Sequence, residues 1–451
     1  MRAGGGAAGI GPVLAKQRRD PGGGASGIGP VLAKQRRNPG GGASGIGPVM
    51  AKQRRDPGGG AARIGGVVLG GDSQGLGIAR SLGKHGVPVC VIDDEPSIAR
   101  ASRYVQHAVR VPDLRSEQGL LDALALARTR HGLAGWVLYP TRDENVAAIA
   151  AHRDALSAHF RVPTPALDSV RYLWDKRETY QLAATLGIAI PRTWFPRTEA
   201  DLDQVQISTP LVVKPSVKEH FFYETGVKAW RADNREELVR TFRRAAAIVP
   251  DGEVIVQEMI PGGTREQYAY CTFFAGGRAA ASMTVRRCRQ HPSDFGRAST
   301  YVRTITLPEL AGPASELLRA IGYYGLAEVE FMRDPRDGAY RLLDVNARTW
   351  GYHTLGRRAG VDFPYLLFQD QTGQRHGRPV QARARPGVSW VRLLTDVPNA
   401  VRDLRAGTQR DRGYLRSLLT ADTEAVFSVS DPLPGLYELA LLPYLAVSRS
   451  L

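Results

Sequence analysis

Cysteine is scarce: three residues in 451, Cys90, Cys271 and Cys288, lie far apart or without a metal-ligand spacing. That excludes a disulfide framework and a zinc site as organising features. It fits a reducing compartment, and the expected location is the cytoplasm. No apolar run approaches the ~20 residues that cross a bilayer, so no membrane span is expected. The N-terminus has Gly and Arg but no apolar h-region, so no secretory leader is expected either. Nor does a Ser/His/Asp or Cys nucleophile stand out. What is present is a hydrophobic content of 43%, enough to bury a large core in two or three domains.

Residues 1–57 lack aromatic side chains and have few aliphatic ones. GGGAAGIGPVLAKQRRDP (4–21), GGGASGIGPVLAKQRRNP (22–39) and GGGASGIGPVMAKQRRDP (40–57) repeat with a period of 18, and GGGAARIG follows as a partial copy. So little apolar surface between Gly and Pro blocks does not offset ordering entropy, and a disordered extension is expected over 1–62. The Gly-Gly-Gly and Pro of every unit argue against a solenoid. This tail carries a net +8, half of the formal +16. The high pI therefore says little about the folded part. KQRR clusters suit nucleic acid or an anionic surface, but no aromatic residue is interleaved for stacking, so nucleic acid is the weaker reading.

From residue 63 to about 165 the pattern alternates strand and helix. IGGVVLG (64–70) runs into GDSQGLGIARSLGKHG, a Gly-rich turn and a helix closed by Gly86; VPVCVID (87–93) follows, ending in Asp93. An open parallel sheet with helices on it is expected. Glycines 70, 71, 75 and 77 do not spell G-x-G-x-x-G. A dinucleotide site would make the chain an oxidoreductase; a structural domain of the same layout without a nucleotide is the favoured alternative. Asp72, Asp143 and Glu144 sit at strand C-termini, as caps or as contacts to a co-substrate.

The stretch 327–348, AEVEFMRDPRDGAYRLLDVNAR, reads as a β-hairpin about Pro335-Arg336-Asp337-Gly338. Alternation puts Glu328 and Glu330 on one face, and Asp344 and Asn346 on one face of the returning strand. Pairing brings Glu330 opposite Asp344, subject to a one-residue slip. Two carboxylates and an amide carbonyl are hard oxygen ligands of the kind Mg²⁺ uses, with Arg348 beside them for an anion. A solvated polar face fits the same residues. Upstream, Asp175 is a good N-cap for a helix carrying Lys176 in its first turn and stopped by Gly187. PLVVKP (210–215) is an apolar strand broken by Lys214, a charge that needs a partner or a purpose. EVIVQEMI (253–260) is a further strand followed by PGG. Residues 282–304 carry Arg286, Arg287, Arg289, His291 and Arg297, a local anion site or a solvated basic edge.

In this order the elements resemble the ATP-grasp superfamily. The match runs over about 63–372: Lys176, Lys214, QEMIPG, Glu330, then Asp344-x-Asn346-x-Arg348. At closer range the chain looks like the bacterial carboxylate–amine ligase (D-aspartate ligase-like) group. The implied fold class is α/β, α+β in the nucleotide-binding part, an ATP-grasp domain (166–372) preceded by a Rossmann-like domain (63–165) and followed by an extension (373–451) with a docked C-terminal helix. The resemblance implies ATP held by Lys176 and Lys214, its adenine edge read by Gln257, Glu258, Met259 and Ile260, and its ribose by Glu266. It implies Mg²⁺, with Mn²⁺ as a substitute, on Glu330, Asp344 and Asn346. Arg348, Arg286 and Arg289 would serve the phosphoryl group or the carboxylate. Two departures are Asp344, where Glu is commoner, and SVKEHFFYETG (216–226) in place of a Gly-rich lid. There Lys218 and His220 would supply charge, or the aromatics would build a rigid hairpin.

The activity so implied is amide formation from ATP, a small-molecule carboxylate and an amine, through an acyl-phosphate. An NAD-type oxidoreductase and a non-catalytic ATP-binding scaffold are the alternatives. Oligomeric state is open, a homodimer included.

Overall fold

The computed structural model describes residues 63–444 apart from 251, 292–295, 297, 375–380, 406 and 408–412, and, within those, not the side chains of Lys218 and His220. The expectation for the repeats and the parts assigned to Lys218, His220 and Arg297 lie outside the described residues.

Four short apolar strands open the fold: β1 (Gly66–Leu69), β2 (Val89–Asp93), β3 (His107–Arg110) and β4 (Val137–Pro140). They form a parallel sheet in the order β3-β2-β1-β4. Successive side chains serve opposite faces: Val67 and Leu69 pack with Leu120, Leu124 and Phe160, whereas Val68 packs with Leu76, Ile78 and Leu82. Asp72 caps the helix Ser73–Lys84 by accepting from Gln74 N and Gly75 N. Ile78 and Leu82 of that helix share a core with Trp350 and Phe363, which joins the first sheet to the rest.

A smaller antiparallel sheet follows in the order β5-β8-β6-β7: β5 (Thr193–Trp194), β6 (Leu211–Pro215), β7 (Trp230–Ala232) and β8 (Val254–Glu258). The expected helix is present as Lys176–Thr185, with Asp175 accepting from Arg177 N at 2.8 Å and Gly187 at φ 70° past its end. Residues 216–226 do not form a hairpin. They hold a helix, Lys218–Thr225, capped by Gly226 at φ 73°. The segment has no internal Gly or Pro to turn on, and Phe221 anchors it edge-on to Trp230, centroids 4.6 Å apart.

The largest sheet is built on the predicted hairpin: β9 (Gln267–Ala275), β10 (Arg278–His291), β11 (Ala298–Thr304), β12 (Gly325–Arg333) and β13 (Tyr340–Asn346). The C-terminal part does more than dock a helix. It adds β14 (Ala382–Arg383), β15 (Ser389–Val391) and β16 (Thr423–Glu424), so the order is β13-β12-β9-β10-β11-β15-β16, with β14 on β10. Strands of two and three residues leave no periodic signal to read. Asp431 then ties this part to the first sheet's helix, accepting from Arg80 Nε at 2.9 Å and Ser102 Oγ at 2.7 Å. Glu438, on the final helix Leu433–Ala440, is paired with Arg392 at 2.8 Å.

Candidate active site on the hairpin

The hairpin register is the one the alternation requires: Glu328 faces Asn346 and Glu330 faces Asp344, with a bulge between Glu330 and Phe331. Glu328, 4% exposed, is the deepest carboxylate. Asn346 Nδ2 donates to Glu328 Oε2 at 3.0 Å and to Glu330 Oε1 at 3.1 Å, so one amide bridges two acids. Tyr352 Oη donates to the other oxygen of Glu328. Burial, with Glu330 beside it, pushes the Glu328 carboxyl up to about 7.

Three cations balance these acids. Lys176 Nζ donates to Asp344 Oδ1 at 2.6 Å. Burial would pull this ammonium down, but Asp344 prevails and holds it above the ordinary lysine range. Arg287 Nη1 pairs with Glu330 Oε2. Arg348 reaches Asn346 Oδ1 at 3.2 Å and clamps Asp143 with Nε–Oδ1 2.6 Å and Nη2–Oδ2 3.1 Å. Asp143 comes from the helix that follows β4, so the first sheet supplies part of the cluster.

Lys214 lies next to this group. Its Nζ donates to Tyr180 Oη at 2.7 Å and to Gln257 Oε1 at 2.8 Å, and Tyr180 Oη in turn donates to Leu343 O at 2.7 Å. Gln257 therefore serves Lys214, and Thr193 through its Nε2 at 2.8 Å. At the end of β8, Glu258 accepts from Arg192 N at 2.9 Å and pairs with Arg336 at 3.1 Å. The Met259 N–H is taken by Pro210 O at 2.8 Å, leaving the Met259 carbonyl and the buried Ile260 at this hinge.

Two predicted arginines are not brought to the cluster. Arg286 donates to Arg265 O at 3.0 and 2.8 Å, out at the surface. Arg289 is clamped on Asp396 at 2.9 Å by both Nε and Nη2, between the rings of Tyr301 and Tyr414. The arginine that reaches the acids is Arg287, 6% exposed. Its signal was in the sequence: Met283, Val285 and Arg287 are the buried alternation of β10, interrupted by one charge, the pattern already noted at Lys214. Glu328, Tyr180 and Tyr352 were not singled out as site residues, because before folding they look like a strand face and core aromatics. His353 is packed, with Nδ1 2.9 Å from Trp350 O and burial lowering its pKa.

Observations at two places fit the implied ligands. Hard oxygens of Glu330, Asp344 and Asn346 face one another on one strand pair, a donor set suited to Mg²⁺. At the hinge, Glu266 Oε2 and Gln267 Oε1 are buried acceptors that no described donor hydrogen-bonds, with Arg333 3.7 Å from the former. Hydroxyl groups of a ribose would satisfy them. The first sheet, by contrast, spends its own equivalents. Asp93 accepts from Gly71 N at 2.6 Å and from Arg142 at 2.9 Å. A Cβ on Gly71 would stand 2.5 Å from Ser97 and one on Gly77 2.6 Å from His353, so these glycines serve internal packing.

A parallel Rossmann-like sheet followed by a small antiparallel sheet and a large sheet carrying this hairpin is the ATP-grasp architecture. Within that class the chain is similar to D-aspartate ligase of Enterococcus faecium (strain Aus0004), 25% identical over 301 residues, 62% of this chain and 70% of that protein. The structure superposes on L-amino acid ligase from Bacillus licheniformis with a TM-score of 0.55 at 18% identity, covering 73% of this chain and 79% of that one. It superposes on carboxyaminoimidazole ribonucleotide synthase from Aspergillus clavatus, crystallised with ATP, with a TM-score of 0.54 at 16% identity, covering 75% and 86%. No family model matches the chain. Among the described residues no helix is long and apolar enough to cross a membrane.

Proposed function

We propose that the chain is an ATP-dependent ligase that activates a carboxylate as its acyl-phosphate and joins it to an amine. The observation that carries this is Glu330 set opposite Asp344, bridged and flanked by Asn346, Lys176, Arg287 and Arg348. In this reading residues 63–165 form the Rossmann-like domain, 166–372 the ATP-grasp domain and 373–451 an extension. Lys176, Lys214 and Lys218 take the triphosphate. Gln257, Glu258, Met259 and Ile260 take the adenine, and Glu266 the ribose. Glu330, Asp344 and Asn346 hold Mg²⁺, with Mn²⁺ as a substitute; the ion supplies charge neutralisation for the phosphates.

A free carboxylate is a poor electrophile because oxide is a hopeless leaving group. A carboxylate oxygen therefore takes the γ-phosphoryl group; the bond from phosphorus to the ADP oxygen breaks and ADP leaves. The neutral amine then attacks the acyl carbon. The C–N bond forms, the C–O bond to phosphate breaks, inorganic phosphate leaves, and the nitrogen sheds its proton to water. Arg348, oriented by Asp143, and Arg287 face the charge that develops on the transferred group. Arg287 takes the place first given to Arg286 and Arg289, whose guanidinium groups are engaged elsewhere. The reaction belongs to the cytoplasm, and a homodimer is one of the states that sedimentation would distinguish.

Hydroxylamine traps acyl-phosphates as hydroxamates. A panel of amino acids and other carboxylates, with ATP, Mg²⁺ and hydroxylamine, is expected to give ADP and a hydroxamate with at least one acid. ADP release in no combination would remove the ligase reading.

A further inference from the structure

Beyond the edge strand β13 a cleft with about 330 Å³ of open space reaches Asp344 and Lys176. One wall is apolar: Val146 from the helix Asp143–Ala151, and Val170, Leu173 and Trp174 from the helix Leu167–Trp174. The facing wall carries two carboxylates, Asp143 and Glu219. Glu219, only 9% exposed, is delivered by the helix Lys218–Thr225 that stands where a Gly-rich lid was expected. The indole N–H of Trp174 is buried and donates to no described group. Neither Lys214 nor any of residues 257–260 lines this cleft, so a nucleotide held at the hinge leaves it open.

We propose that this cleft binds the amine substrate, and that the amine is an apolar amino acid or its amide. The proposal rests on the ligase reading above. An ammonium group is drawn to the carboxylate wall, a hydrocarbon side chain lies against Val146, Val170 and Leu173, and a carbonyl oxygen accepts from the Trp174 indole. Such a ligand meets every kind of surface the cleft offers. An acidic amine such as aspartate would instead bring negative charge against Asp143, Glu219 and Asp344. The position also suits the chemistry: Asp143 of the wall is the residue that clamps Arg348, so an amine seated here lies beside the group assigned to the activated carboxylate.

L-Leucinamide separates the two roles of an amino acid, because its amide cannot be activated as a carboxylate. Calorimetric titration into protein saturated with Mg²⁺ and AMP-PNP is expected to show binding. Glycinamide should bind roughly tenfold or more weaker, the effect of losing a buried aliphatic side chain. Aspartate should be weaker than leucinamide as well. Glu219→Gln, nearly isosteric, should weaken leucinamide by about tenfold, and Val146→Phe should fill the cleft and block it. AMP-PNP affinity reports whether each variant is folded and keeps the two readings apart. Equal binding of glycinamide and leucinamide, or leucinamide binding that both substitutions leave intact, overturns the assignment. Protein that binds AMP-PNP but no leucinamide also overturns it and leaves the ligase reading standing. Protein that binds no AMP-PNP removes both.

Discussion

Arg348 and Asp143 stand 205 positions apart in the chain and meet in a two-pronged ion pair, 2.6 and 3.1 Å. One follows β13 and the other opens a helix of the first sheet, so the pair joins the two parts at the cluster itself. Burial would lower the pKa of Arg348, but the Asp143 carboxylate raises it, and the guanidinium stays charged. Removing one member of a buried pair strands the other, at a cost of about 3–5 kcal/mol. Asp143→Ala is therefore expected to lose about that much stability and most of its turnover. Urea unfolding measures the first; a midpoint equal to wild type would show that Arg348 finds other partners.

Asp344 faces Glu330 across the hairpin and holds Lys176 at 2.6 Å. Asp344→Ala should abolish ADP formation at ordinary Mg²⁺ while the far-ultraviolet circular dichroism keeps its native shape, because the residue is on an edge strand and only partly buried. Normal turnover in that variant would end the metal assignment.

Lys214 is held by Tyr180 and Gln257, two neutral groups. A neutral partner satisfies the ammonium's hydrogen bonds but not its charge, which is what a triphosphate would do. Charge-assisted contacts are worth roughly 1.5–3 kcal/mol each. Lys214→Met keeps the bulk, so the fold should survive while affinity for AMP-PNP falls by about an order of magnitude or more. Equal affinity in the calorimeter would move the phosphate contact elsewhere.

The hairpin was legible because its two faces differ so sharply that one register alone buries Val329, Phe331, Leu342 and Val345 together. The same logic gave the first sheet, whose strands are continuous apolar runs. It failed where the deciding information is not periodic. Arg286, Arg287 and Arg289 are indistinguishable as letters; the parity of β10 and its bulge near Arg289 decide which one meets Glu330. KEHFFYET has no signal strong enough to announce a helix until Phe221 finds Trp230. Asp143 could be placed at a strand end from sequence, but not against Arg348, since nothing local links positions 205 apart.

Glu328 is the acid of the cluster that the sequence left without a role, and it gives the fold a pH dependence. Burial, with Glu330 adjacent, raises its carboxyl from 4.5 to about 7. The folded state thus prefers the protonated form. The associated stability is fully present below pH 4.5, is lost as the pH rises to about 7, and changes no further above that. At ~1.4 kcal/mol per pKa unit the whole effect is roughly 3 kcal/mol. Glu328→Gln keeps the size and the hydrogen-bonding capacity for Asn346 or Tyr352, and is neutral throughout. Relative to wild type it should therefore gain about 3 kcal/mol between pH 4 and pH 8, measured by urea unfolding without nucleotide or Mg²⁺. If the difference between the two proteins is the same at both pH values, Glu328 is ionised in the fold at pH 4 as well. In that case Arg287, together with Tyr352, outweighs the burial that the geometry imposes.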